Sequence, residues 1–79
     1  MANEVIVYTT PTCPWCQALK RYLEERDIPF DEVDVSSNIE AALEMVEKSG
    51  QQGVPVVEID GEIVVGFDRE RIDALLGLY

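Results

Sequence analysis

Val5-Ile6-Val7-Tyr8-Thr9-Thr10-Pro11-Thr12-Cys13-Pro14-Trp15-Cys16-Gln17-Ala18-Leu19-Lys20-Arg21-Tyr22-Leu23 is the stretch that decides how this chain folds. Val5-Ile6-Val7 is an unbroken β-branched run, which suits a strand buried on both faces, and the strand is predicted over Glu4 to Tyr8. Thr9 to Thr12 then form a loop interrupted by Pro11. A helix is predicted from Pro14 to Arg26. Proline fits the first helical position, where the missing N–H costs nothing. Trp15, Ala18, Leu19, Tyr22 and Leu23 recur at helical spacing as one apolar stripe, leaving Gln17, Lys20, Arg21, Glu24 and Glu25 for water. The helix must stop before Ile28-Pro29, because the residue preceding a proline avoids helical angles.

Downstream, Phe30 to Val35 alternates as a second strand. Phe30, Glu32 and Asp34 share one side; Asp31, Val33 and Val35 share the other. One side is polar, which marks an edge strand. Ser37-Asn38-Ile39-Glu40 reads as a capping box opening a helix. Ile39, Ala42, Leu43 and Val46 then follow at i, i+3, i+4 and i+7, and Gly50 closes the helix. Val54 to Val65 reads as a hairpin, with Val56–Ile59 and Glu62–Val65 flanking the turn pair Asp60-Gly61. Gly66 breaks the second strand. Asp68 can cap a last helix that turns Ile72, Leu75 and Leu76 inward and ends at Gly77. The order is βαβαββα: an α/β fold with a four-stranded mixed sheet and helices on both faces.

Seventy-nine residues make one domain, 1–79, with no visible linker or repeat. An apolar fraction of 47% is ordinary for a globular chain. No run of about 18 apolar residues is present to span a membrane, and Met1-Ala2-Asn3-Glu4 lacks the basic start of a signal peptide. A cytoplasmic monomer is expected. Acidic residues outnumber basic ones 16 to 6, for a net charge of −10. That balance disfavours nucleic acid and anionic membrane as partners. It serves either solubility or steering toward a partner with a basic face, and the sequence does not separate the two.

Two cysteines and no histidine exclude a good deal. One chain cannot supply a four-ligand zinc site from them, and histidine acid–base catalysis is absent. A Cys13–Cys16 disulfide would close too short a loop to staple the fold. A close cysteine pair that neither staples nor binds zinc points to redox chemistry. The placement sharpens this. Cys13 sits just before the helix, where unpaired N–H groups and the positive end of the dipole favour the thiolate, the form that attacks disulfides. Cys16 lies one turn on, near the apolar stripe, and should be the more buried. Cys13 is therefore expected to attack and form a mixed disulfide, and Cys16 to resolve it. Pro14 and Trp15 set the stiffness of the loop and tune its reduction potential. Trp15 itself has two readings: a stripe aromatic packed in the core, or an exposed contact surface beside the nucleophile.

Taken together, these segments resemble the glutaredoxin-like branch of the thioredoxin superfamily. Tyr8-Thr9-Thr10-Pro11-Thr12-Cys13-Pro14-Trp15-Cys16 is similar to the family's strand-to-active-site segment. Gly53-Val54-Pro55-Val56 is similar to its Thr-Val-Pro segment, Asp60-Gly61 to its hairpin turn, and Gly66-Phe67-Asp68 to its third motif. The resemblance implies a thioredoxin-like fold and a thiol–disulfide oxidoreductase. It also implies that Pro55 is cis and that the backbone at Val54 pairs with bound substrate. Substrate contact is implied for Thr12, Pro14, Trp15, Val54, Pro55, Gly66, Phe67 and Asp68.

Glutathione-using members usually carry a lysine where Thr10 stands and Gly-Gly where Gly66-Phe67 stand. Losing a cation and a close backbone approach should weaken binding of an anionic tripeptide. Gly-Phe looks more like the redoxins that serve ribonucleotide reductase. The resemblance thus implies protein disulfides as substrates, no bound cofactor, and re-reduction by a flavin-dependent, thioredoxin-reductase-like enzyme. Two alternatives stand beside it. One is a glutathione-dependent glutaredoxin, with glutathione as co-substrate held by Asp68, Gln51 and Gln52. The other is a carrier whose Cys13, from two chains with two outside thiols, holds a [2Fe–2S] cluster.

Overall fold

A computed structural model of the chain describes residues 4–77. Strand β1 (Val5–Thr9) leads through a loop into helix α1 (Pro14–Glu25), followed by β2 (Asp31–Asp34), α2 (Ile39–Ser49), β3 (Val56–Ile59), β4 (Glu62–Val65) and α3 (Arg69–Leu76). The four strands form one sheet in the order β2-β1-β3-β4. β1 runs parallel to β2 and antiparallel to β3, and β3 pairs antiparallel with β4. The mixed four-stranded sheet with helices on both faces is therefore the fold that the periodicities imply.

Alternation along β1 divides the interior. Val5 and Val7 join Leu19, Tyr22 and Leu23 of α1, Val57 and Ile59 of β3, Val64 of β4 and Ile72 of α3 in the larger cluster. Ile6 and Tyr8 point to the other face, where Tyr8, Met45 and Val56 form a smaller cluster under α2. β1 is buried on both faces because it is a central strand, as its continuous apolar run requires. β2 is an edge strand, as its polar side implied. Its sides follow the expected alternation: Phe30 packs against the α1 cluster and Glu32 meets Lys20 of α1 at 2.7 Å, whereas Val33 and Val35 pack toward α2. Lys20 is thus half-buried over β2 rather than free in water.

Boundaries shift by a residue or two. β1 begins at Val5 and includes Thr9; α1 ends at Glu25 with Arg26 as its cap; β2 is only Asp31–Asp34. The hairpin strands start at Val56, and Val54 and Pro55 precede them. Asp60 and Gly61 both take positive φ, 50° and 89°, as a tight two-residue turn requires.

Two features of α2 correct the sequence reading. Its cap is Asn38, whose side chain accepts the Ala41 N–H at 3.1 Å. Ser37 does not form the expected capping box; its hydroxyl donates to the Asp34 carbonyl instead. The buried face also differs. Ala41 and Met45 are buried, whereas Ile39 and Leu43 are 79% and 64% exposed. Each of these lies two residues from the buried pair, about 200° round the helix. The rotational phase is pinned by Lys48, one turn past Met45 on the same face. Its ammonium reaches Glu58 on β3 at 2.7 Å and the Tyr8 hydroxyl on β1 at 3.3 Å. It also pairs with Glu44 at 3.0 Å. The Glu58 and Glu44 carboxylates hold Lys48 well above the usual lysine range.

Candidate active site

The site is built where β1 hands over to α1. Cys13 is the N-cap residue of α1, with extended backbone at φ −90° and ψ 113°, and Pro14 occupies the first helical position. The Cys13 sulfur accepts the backbone N–H of Cys16 at 3.3 Å. An N-cap side chain normally supplies an oxygen to satisfy one of the unpaired amides of the first turn; here a sulfur takes that place. No acidic residue lies in this first turn to compete with an anionic sulfur. Cys13 is partly exposed, and both thiols are free.

Cys16 is fully buried, at 0% exposure. Burial pushes its thiol above the ordinary cysteine range, and its hydrogen bond with Cys13 adds to the rise. The Thr10 backbone and the Thr9 hydroxyl oppose that rise. The two sulfurs thus differ in burial, with Cys16 the more buried, as expected.

A second loop approaches from the sheet. The Val54–Pro55 bond is cis, and the Val54 carbonyl lies 3.8 Å from the Cys13 sulfur, which donates to it. The Gly66 N–H donates to the Pro55 carbonyl at 2.8 Å, tying the loop after β4 to the loop before β3. Gly66 has φ +78°, a backbone angle that L side chains rarely adopt. Phe67 follows, its ring edge-on to Tyr22 of α1 with centroids 5.5 Å apart.

These loops enclose a groove of about 290 Å³ lined by Trp15, Val54, Pro55, Gly66 and Phe67. Trp15 is 65% exposed, so of its two readings the structure takes the surface one. It leaves the stripe of α1, where Cys16 takes the buried place beside Leu19, Tyr22 and Leu23. Of the other expected contact residues, Thr12 and Pro14 are exposed beside Cys13 and do not line the groove. Asp68 does not line it either. Its carboxylate caps α3, accepting the Arg71 N–H at 3.2 Å.

Two contributors escaped the sequence reading. Thr9 ends β1 with its side chain buried, just ahead of the loop that carries Cys13. Tyr22 was read only as core. It also backs Phe67, donates a hydrogen bond to Asp73 of α3, and carries the Arg26 guanidinium 3.6 Å over its ring. A threonine closing a buried strand next to a cysteine motif was the available signal for the first. Nothing local marked the second.

Comparison with known proteins agrees with this geometry. The family model described as Glutaredoxin matches residues 5–64. A glutaredoxin-like 8.6 kDa protein encoded in a rubredoxin operon of Clostridium pasteurianum is 47% identical over 70 residues, covering 89% of this chain and 93% of that protein. Glutaredoxin 3 of Escherichia coli K12 is 37% identical over 79 residues, covering 99% of this chain and 94% of its own. Among solved structures, the Escherichia coli glutaredoxin-like protein NrdH-redoxin superposes with a TM-score of 0.80 at 30% identity, over 91% of this chain and 93% of that one. That structure was described as the basis for a thioredoxin-like activity profile.

Proposed function

This chain belongs to the glutaredoxin family of thiol–disulfide oxidoreductases, and we propose that it reduces protein disulfides by dithiol exchange, with Cys13 attacking and Cys16 resolving. One observation carries the reading. The accessible sulfur caps a helix and already accepts an amide hydrogen bond, while its partner one turn away is sealed from solvent. The Cys13 thiolate attacks one sulfur of the substrate cystine; the other sulfur leaves as a thiolate. Cys16 then attacks Cys13, the substrate's second sulfur departs, and the chain retains the Cys13–Cys16 disulfide. The oxidised chain needs two electrons to begin again.

The groove supports an extended peptide as substrate. Its walls are an exposed indole, Val54, Pro55 and Phe67, and the backbone at Val54 beside Cys13 would pair with a bound strand. For the donor, the reading is a flavin-dependent, thioredoxin-reductase-like enzyme. Phe67 occupies the groove wall where glutathione users carry a second glycine, and Asp68 is committed to capping α3. The thioredoxin-like profile of the Escherichia coli NrdH-redoxin supports the same side. The competing donor is glutathione.

A coupled assay decides between them. With a protein disulfide as substrate, the flavoenzyme and NADPH should sustain turnover, and glutathione with glutathione reductase should not. Turnover with glutathione alone would overturn the donor assignment.

A further inference from the structure

Helix α2 carries two apolar faces, and the sheet covers one of them. Ala41 and Met45 are buried, with Lys48 one turn on reaching Glu58 and the Tyr8 hydroxyl. Ile39 and Leu43, one turn apart, stand out at 79% and 64% exposure. Ala42 and Val46 are half-buried. Positions 39, 42, 43 and 46 follow at i, i+3, i+4 and i+7, the spacing by which an amphipathic helix anchors itself on an apolar partner surface.

The ridge has an acidic flank. Glu40, Glu44 and Glu47 are exposed, and at about 100° per residue they lie together on one side of the Ile39–Leu43 line. Lys48 is the only cation of α2, and its ammonium is shared between Glu44 at 3.0 Å and Glu58 of β3 at 2.7 Å. That leaves Glu40 and Glu47 to set the sign of the flank. Topology places the ridge near the cysteine pair. β2 runs parallel to β1, and Asp34 pairs with Thr9. The turn after Asp34 opens α2, and the loop after Thr9 leads to Cys13. The ridge therefore begins at the Cys13 end of the sheet.

We propose that the outer face of α2, centred on Ile39 and Leu43, docks a protein partner whose apolar surface is bordered on one side by lysine or arginine. Charge complementarity selects this occupant. A second copy of the chain fits poorly, because two chains of net charge −10 would meet through a face that is itself acidic. A basic partner is drawn toward that face and gains the burial of two large aliphatic side chains once there.

The test uses the ¹⁵N-labelled full chain and two synthetic amphipathic helices as probes. One is built of leucine and lysine; the other has glutamate in place of each lysine. Titration with the leucine–lysine peptide should shift the amide resonances of residues 39–47 and saturate, and the glutamate peptide should not bind. Leu43→Gln and Ile39→Gln should each weaken binding about tenfold, the scale of one buried aliphatic anchor. The double variant Glu40→Gln/Glu47→Gln should weaken it about threefold, and added salt should do the same. Both apolar residues are exposed, so their variants should keep the wild-type urea midpoint. Unchanged affinity in Leu43→Gln overturns the proposal. So do equal binding of the two peptides, absence of saturable binding, or shifts centred on the Trp15–Phe67 groove. Sedimentation equilibrium of the chain alone supplies the last outcome: a dimer that Leu43→Gln dissolves would assign the face to a second copy and overturn the proposal as well.

Discussion

Phe67 presents its ring edge to Tyr22, with centroids 5.5 Å apart and planes at 69°. A residue of the groove lined by Trp15, Val54 and Pro55 is therefore held by the helix that Cys13 caps. An aromatic pair of this geometry is worth about 1 kcal/mol beyond its burial. Tyr22→Leu should raise KM for a protein disulfide about fivefold, while kcat with a small aromatic disulfide stays close to wild type. Tyr22→Phe keeps the ring contact and should show neither effect on KM. It gives up the Asp73 hydrogen bond, so its urea midpoint should fall by about 1.5 kcal/mol of stability.

Exchange of either sulfur separates the two halves of the reaction. Cys13→Ser should abolish reduction of any disulfide. Cys16→Ser should leave the first attack intact and arrest there. Mass spectrometry of Cys16→Ser after mixing with a disulfide peptide should find one covalent adduct per chain that a small thiol removes. A Cys16→Ser protein that turns over a protein disulfide at wild-type rate would contradict the resolving role.

Stability should fall at high pH, and the sign follows from two groups. Burial raises the Cys16 thiol, and burial together with the Asp73 hydrogen bond raises the Tyr22 phenol. The folded chain thus holds both protons more tightly than the unfolded chain. The associated stability is fully present below the unfolded values and is lost as pH rises through the folded ones. The urea midpoint of the reduced protein should be flat between about pH 7 and 8 and decline beyond roughly pH 9. Cys16→Ala should show a shallower decline, because the Cys16 contribution is then gone while those of Tyr22 and Lys48 remain.

The rotation of α2 is open to a direct check. Met45 is 2% exposed and Leu43 64%. Met45→Ala should cost about 3 kcal/mol of unfolding free energy. Leu43→Ala should stay within about 0.5 kcal/mol of wild type. Equal costs would mean that both residues reach the core.

How much of this was legible depended on whether the cause was local. The β-branched run at Val5 to Val7, Pro14 at the helix start, Asp60-Gly61 and the caps at Gly50, Asp68 and Gly77 each act over a few residues, and each appears where the sequence implied. α2 was misjudged because two apolar faces overlap in its sequence. The choice between them is made by Lys48 reaching strands 40 and 10 positions distant in the chain. Ser37 was read as a cap because it stands three before Glu40, but Asn38 is one residue nearer the helix and takes the amide. Spacing placed the cysteine pair. The groove was implied only by resemblance, because its walls come from three separated segments, and Tyr22 joins them through a contact spanning 45 residues. Asp68 caps α3 with one carboxylate oxygen, as its place just before the helix implied.

The unequal burial of the two sulfurs also makes the reduced chain selective toward bulky thiol reagents. A maleimide dye can reach Cys13 and has no path to Cys16 while the fold is intact. The wild-type chain would therefore accept a single label at one defined position, and a second equivalent would enter only when the interior opens. Counting labels against denaturant concentration turns the pair into a built-in gauge of how often the end of β1 and the start of α1 part company.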